Sequence, residues 1–491
     1  MNTRIKNLMK VGSSVLLILS TAHQAKSQNN NPLLFPKDSF TVETKTVNTT
    51  SGEKKITYRS YMHIPYVANA VDKDYQSMNV SVPTEINGKN IDAANAPIYF
   101  AIGVGGYMSV NNAKTGAPQQ GAAGRPNFMG GSSSRDDLAL ASGFVVVAPG
   151  CRGRDNKAAD GTYYGKAPAA IVDLKAAVRY IRHNKGILPG NVDHIFSVGC
   201  SAGGAISALL GASGNSPLFD SYLKEIGAAD APDNIFGSAC FSPITDLENA
   251  DGAYEWMYGS TPTRSGLVDQ ELSKQLKALY SAYQASLKLK GKDGFGILTA
   301  DNYANYLLKY FLVPSANEYL KALSEEKRNE YLSKNQWISW KDNQASFTFA
   351  DYVVHVGRMK GLPAFDDFDK KQPEPALFGN KTTDSRHFTN FSEQHSSGNN
   401  AQIDNEVKHL VDLMNANYFV AHNNKDCAGY WWLRNGTSDN HTSQTVMVNL
   451  ATGLENQKKI VNASVFWDGG HCADFEPENL MDWISKITGY K

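Results

Sequence analysis

His194-Ile195-Phe196-Ser197-Val198-Gly199-Cys200-Ser201-Ala202-Gly203-Gly204-Ala205-Ile206-Ser207-Ala208-Leu209-Leu210 runs from a short β-type segment through a tight turn into a helical segment. Its centre, Gly199 to Gly203, has the form G-x-S-x-G. A strand that turns this sharply into a helix leaves the central serine in a strained conformation, with its hydroxyl exposed beyond the strand end. Side chains two positions to either side would collide, so both are glycine. The five-residue pattern alone is common by chance. The strand before it and the helix after it make it specific, as a nucleophile elbow. That reading implies an α/β chain with the α/β-hydrolase fold, a mostly parallel sheet flanked by helices.

The neighbouring sequence agrees. Ala96 to Ile102 reads as a buried strand ending in the glycine-rich turn Gly103-Val104-Gly105-Gly106-Tyr107-Met108. Gly143 to Gly150 reads as a second buried strand. Pro168 then opens a helix, with Ile171, Leu174, Val178 and Ile181 on one apolar face. Uniformly apolar strands alternating with amphipathic helices indicate a parallel sheet covered on both faces. Ser39 to Lys45 and Ile56 to Ile64 alternate like edge strands, and Ile235 to Phe241 reads as the strand after the elbow helix. From residue 248 to 409 the texture changes to Tyr, Lys, Asn and Ser, with helical patches at Leu272 to Leu289 and Leu320 to Leu332 and no run of buried strands. This is expected to be a large inserted lid. The core resumes over 410–491, with a helix near Val407 to Met414, strands at Tyr430 to Leu433 and Ala463 to Trp467, and a helix from Pro477 to Ile487. The first part of the core spans 28–247.

Residues 1–27 are set apart. Arg4, Lys6 and Lys10 precede the apolar stretch Val11 to Ala22, and Ala25-Lys26-Ser27 offers a cleavage site. This is the pattern of a secretory signal peptide, and the apolar stretch is too short for a membrane span. A secreted or periplasmic protein follows. Of the 491 residues, 48 are Lys or Arg and 48 Asp or Glu, and no basic block suggests nucleic acid. The spacing of the five cysteines does not resemble a metal site, and the chemistry read here needs no cofactor or metal.

A serine hydroxyl is a weak nucleophile, so it needs a base in hydrogen-bond reach and an acid to orient that base. In this fold the order is Ser, Asp or Glu, then His. Asp468-Gly469-Gly470-His471-Cys472 follows the last strand, and Asn435-Gly436-Thr437-Ser438-Asp439 follows the one before. The expected triad is therefore Ser201, Asp439 and His471. Asp246, also at a strand end, is the alternative acid. The expected oxyanion donors are the Ala202 N–H and that of Gly105 or Gly106. Cys200 precedes the nucleophile and Cys472 follows the base. If the triad forms, these two are brought close, and export permits a disulfide; two buried thiols are the alternative. Cys151, Cys240 and Cys427 read as buried thiols or one further pair.

Several segments resemble bacterial tannases of the Lactobacillus type. They are Tyr75 to Val80, Val104 to Met108, Ile171 to Ala177, Ser242 to Glu248 and Arg358 to Asp366. The Cys-Ser…Asp…His-Cys arrangement separately resembles fungal tannases and feruloyl esterases, where the cysteines are disulfide-linked. The resemblance implies a serine esterase acting on small phenolic esters, above all galloyl esters. It further implies that Lys360 and Glu374 of the insertion hold the galloyl hydroxyls. The third such position, two residues after the triad acid, is aspartate in the family and His441 here. The alternatives are an esterase for feruloyl or other aryl esters, a serine exopeptidase, or a non-catalytic binding protein.

Overall fold

The structure is a computed structural model and describes residues 32–111, 134–397 and 401–490. The expected signal peptide, residues 1–27, lies outside the described residues. The central sheet is built from nine strands and one two-residue addition. They are β1 (Thr41–Thr49), β2 (Gly52–Pro65), β3 (Ser77–Ile86), β4 (Ile98–Ile102), β5 (Val145–Pro149), β6 (Ile195–Cys200), β7 (Gly237–Phe241), β8 (Tyr430–Gly436) and β9 (Ile460–Phe466). Their order across the sheet is β1-β2-β3-β5-β4-β6-β7-β8-β9. The first three pair antiparallel, as does β3 with β5. All pairings from β5 to β9 are parallel. β6 and β7 are buried along their whole length, as the uniformly apolar sequence requires of a strand covered on both faces.

The helices on the sheet follow from the crossovers. They are α1 (Arg135–Ala141), α2 (Ala169–His183), α3 (Ala202–Ala212), and, after the insertion, Gln444–Asn456 and Pro477–Thr488. One expectation is corrected here. Ile56 to Ile64 is no edge strand: β2 pairs with β1 on one side and β3 on the other. The apolar face of α2 is buried as expected, and residues on its other side are buried too. Asp173 and Lys175 are fully buried, because Arg152 and Asp233 reach in to neutralise them at 2.8 and 2.6 Å. Charged residues look exposed in a sequence, but buried partners allow them inside.

Between β7 and β8 the chain makes the inserted lid. Its first helix, α4 (Leu247–Tyr258), lies at the boundary and is followed by Gln270–Ser286. The patch Leu320 to Leu332 is broken, not continuous. One helix ends at Ala322, and a second, Glu325–Lys334, starts after Ser324, whose side chain accepts from the Lys327 N–H. Two small hairpins, at 290–297 and 339–346, add the only strands among the described lid residues. None of the described helices is long and apolar enough to cross a membrane.

Candidate active site

Ser201 sits between β6 and α3 at φ 61° and ψ −128°, a conformation a serine adopts only under constraint. The constraint is visible on both sides. A side chain at Gly199 would collide with the Gly203 carbonyl, and a Cβ at Gly203 would lie 2.6 Å from the Val104 carbonyl oxygen. The Ser201 N–H donates to Phe241 O at the end of β7 (3.0 Å).

Cys200 and Cys472 form a disulfide with their Cα atoms 5.8 Å apart across 272 residues of chain. It joins the elbow to the loop after β9, so the backbones carrying Ser201 and His471 are held side by side. The remaining thiols, Cys151, Cys240 and Cys427, are buried and free. His471 Nδ1 and Asp439 Oδ2 are 2.9 Å apart, with the carboxylate fully buried and the imidazole partly exposed. Burial works to raise the Asp439 carboxyl, but the hydrogen bond and charge of His471, helped by His441, outweigh it and hold it below its ordinary value. Asp246 is elsewhere engaged: it accepts from the Tyr283 hydroxyl (2.6 Å) and the Asn249 and Asn415 amides (2.9 and 3.1 Å).

The two loops that bring Asp439 and His471 together are bonded to each other. The Thr437 and Ser438 N–H groups donate to Phe466 O and Gly469 O, both at 2.9 Å. A side chain at Gly436 would strike the Gly469 carbonyl. Ser242 adds a third strand end, accepting from the Cys472 N–H (2.8 Å) and donating to Asn435 Oδ1 (2.9 Å).

The glycine-rich turn after β4 packs against the first turn of α3 through the Val104 carbonyl, which lies against Gly203. Gly106 (φ 55°) and Tyr107 (φ 58°) are both left-handed. Arg154 fixes them: its Nε donates to Gly106 O (2.7 Å) and its N–H to Tyr107 O (3.0 Å). Nothing in the sequence singles out Arg154, because its contacts are to main chain.

From the lid, Lys360 comes within charge reach of Asp439 and His441, and Glu374 within reach of Arg154. Lys360 Nζ lies 3.5 Å over the Phe365 ring, and burial pushes the ammonium down despite Glu374, Asp251 and Asp439 within charge reach. Glu374 is buried in a short helix, Pro373–Leu377, and its Oε2 has no hydrogen-bond partner among the described residues. Burial raises its carboxyl, with Lys360 and Arg154 pulling the other way. His441 stacks face to face on His471, with ring centroids 3.9 Å apart and planes 10° apart. Burial, with the charge of His471 and Lys360, pushes it down to about 4 against the pull of Asp439. One ligand atom from each of Asp439, His441 and His471 lies within 4.8 Å of the others. The stack argues against one ion there, since an ion in the plane of one ring lies out of the plane of the other.

The chain is similar over most of its length to proteins of known structure. A tannase from Fusobacterium nucleatum is 36% identical to this chain, with a TM-score of 0.80, over 93% of this chain and 99% of that one. A tannin acyl hydrolase in complex with ethyl gallate is 33% identical, with a TM-score of 0.80, over 94% and 100%. The tannin acyl hydrolase of Lactobacillus plantarum is 32% identical, with a TM-score of 0.81, over 94% and 100%. The chain belongs to the bacterial tannase family. It is thereby a carboxylic ester hydrolase of the α/β-hydrolase fold, with the lid that the fold reading anticipated. A family model described as BD-FAE matches residues 133–285. The esterase LipC of Mycobacterium tuberculosis is 34% identical over 102 residues, and that match spans about a fifth of either chain.

Proposed function

We propose that this tannase-family chain hydrolyses galloyl and closely related phenolic esters through an acyl-enzyme, with Ser201, His471 and Asp439 as its triad. The observation that carries the substrate class is the lid wall. Lys360 is a half-buried cation and Glu374 a buried acceptor whose Oε2 has no partner among the described residues, and a polar ligand would satisfy both. A site built to bond hydroxyls rejects analogues that lack them, because its own groups are then left unpaired. Relatives with this fold bind ethyl gallate and 3,4-dihydroxybenzoate.

Ser201 Oγ attacks the ester carbonyl while His471 accepts its proton. Asp439 holds the imidazole by Nδ1 and stabilises the imidazolium. The oxyanion is received by the N–H of Ala202 and that of Gly105 or Gly106. His471 protonates the departing alcohol, leaving the phenolic acyl group on Ser201. Water, deprotonated by His471, then releases the acid and restores the serine. In this reading 248–409 is the lid, between core segments 28–247 and 410–491, and residues 1–27 direct export.

The test is kcat/KM for methyl gallate, methyl ferulate and p-nitrophenyl acetate, with S201A as control. Methyl gallate is expected to be preferred, and S201A to lose activity on all three. Equal turnover of ferulate would overturn the galloyl reading in favour of a broader aryl esterase. His441 is the observation behind that second reading, since an imidazole lacks the paired acceptors of a carboxylate.

A further inference from the structure

We propose that His441 is a positioning residue for the general base, acting by its stack on His471 and not as a third reader of phenolic hydroxyls. The inference rests on His471 being the base. His441 touches both partners of that base. Its main-chain N–H donates to Asp439 Oδ1 at 3.0 Å, while Oδ2 of the same carboxylate faces His471 Nδ1 at 2.9 Å. Its ring covers one face of His471 at 3.9 Å with the planes 10° apart. A ring clamped between a carboxylate at its edge and an aromatic face above it loses the freedom to turn away from Ser201.

The chemistry of the covering ring also matters. When His471 takes the serine proton it becomes a cation, and an aromatic face at this distance attracts a cation. That requires His441 itself to stay neutral, or two like charges would meet. The groups facing it are His471 from the loop after β9, Asp439 on its own turn, and Lys360 from the lid. Two of those are cationic or become so, and the ring is half-buried, so the neutral form is the one held at working pH. A carboxylate at this position would instead add a second negative charge beside the imidazolium. It would favour the imidazolium already in the resting enzyme, leaving less neutral imidazole to accept the serine proton as the pH falls.

The experiment uses p-nitrophenyl acetate, which has no ring hydroxyl on its acyl group, alongside methyl gallate. H441A is expected to lower kcat about tenfold on both esters with little change in KM, the loss expected of one weak stacking contact. H441F keeps a flat ring without ring nitrogens and is expected to recover most of that loss. H441D is expected to move the acidic limb of the kcat/KM profile for p-nitrophenyl acetate to higher pH by roughly half a unit to one unit. The proposal is overturned if H441A leaves p-nitrophenyl acetate turnover unchanged and raises KM for methyl gallate alone, which is the signature of hydroxyl reading. It is also overturned if H441F, folded by its thermal melt, is as impaired as H441A. Failure of the galloyl reading would show differently, as loss of gallate preference in the unmodified chain, and would leave the acetate series decisive.

Discussion

Glu374 is a buried carboxyl with one oxygen unpartnered among the described residues, so its cost and its use can be separated. Burial raises its carboxyl, which means the folded chain resists ionising it more than the unfolded chain does. Below the ordinary carboxyl value both states are protonated and the group costs nothing. As pH rises past that value the unfolded chain ionises first, and stability falls. E374Q removes the titration. It is expected to melt at a higher temperature than the unmodified chain at pH 7, with the difference closing below about pH 4. The same variant is expected to lose roughly tenfold to a hundredfold in kcat/KM for methyl gallate, the worth of a hydrogen bond to a charged group, and much less for p-nitrophenyl acetate. Melting curves across pH and the two kinetic constants check this. A lower melting temperature at pH 7 would mean that Glu374 is a structural group.

Helix α4 shows how one element places the lid wall. Asp251, Tyr254 and Glu255 project from it onto the segment Arg358 to Asp366. Asp251 accepts the N–H groups of Phe365 and Asp366 at 2.7 and 3.2 Å, and its carboxyl is pushed up to about 7, by burial first and then by Asp366. The Tyr254 hydroxyl accepts from the N–H groups of Met359 and Lys360 at 3.1 and 3.0 Å and donates to Asn440 O at 3.0 Å, between Asp439 and His441. Glu255 pairs with Arg358 at 2.5 Å, both side chains fully buried, and Arg358 donates on to Lys360 O and Gly361 O at 2.8 and 2.7 Å. E255A strands a buried guanidinium, so it is expected to destabilise the fold by about 3–5 kcal/mol and, by loosening Lys360, to raise KM for gallates. Denaturant melts and gallate kinetics test both, and a variant with normal stability and a raised KM would limit Glu255 to the site. Little of this was legible beforehand. The elbow, His471 and the strand ends carry local signatures in glycine and chain order. Arg358, Tyr254 and Arg154 act on main chain or across a hundred residues, and a single sequence has no period or spacing that marks such contacts.

Across the molecule the lid is bound to the core at the loops that carry the chemistry. Tyr352 donates to Thr437 O at 2.6 Å and Ser315 to Val465 O at 2.7 Å. Tyr331 donates to Asp468 Oδ2 at 2.6 Å and itself accepts from Trp467 Nε1 at 2.8 Å. One apolar core runs without a break from Ile206 and Leu433 at the sheet to Tyr303, Phe311, Phe365 and Phe378 in the lid. The sequence marked the lid by its polar texture, as though it were a separate body, because the tyrosines that join it to the core count there as surface residues. Buried tyrosines do two things at once: the ring joins the core and the hydroxyl bonds a loop on the far side. Two bodies sharing one core and several buried hydrogen bonds cannot part without exposing both, so lid and core are expected to unfold together. Trp337 and Trp340 report on the lid and Trp431 and Trp432 on the sheet. Tryptophan fluorescence, far-UV circular dichroism and calorimetry are expected to give one coincident transition. An earlier transition confined to the lid tryptophans, seen in W337F and W340F controls, would mean that the lid is a separately stable body that can open over Ser201.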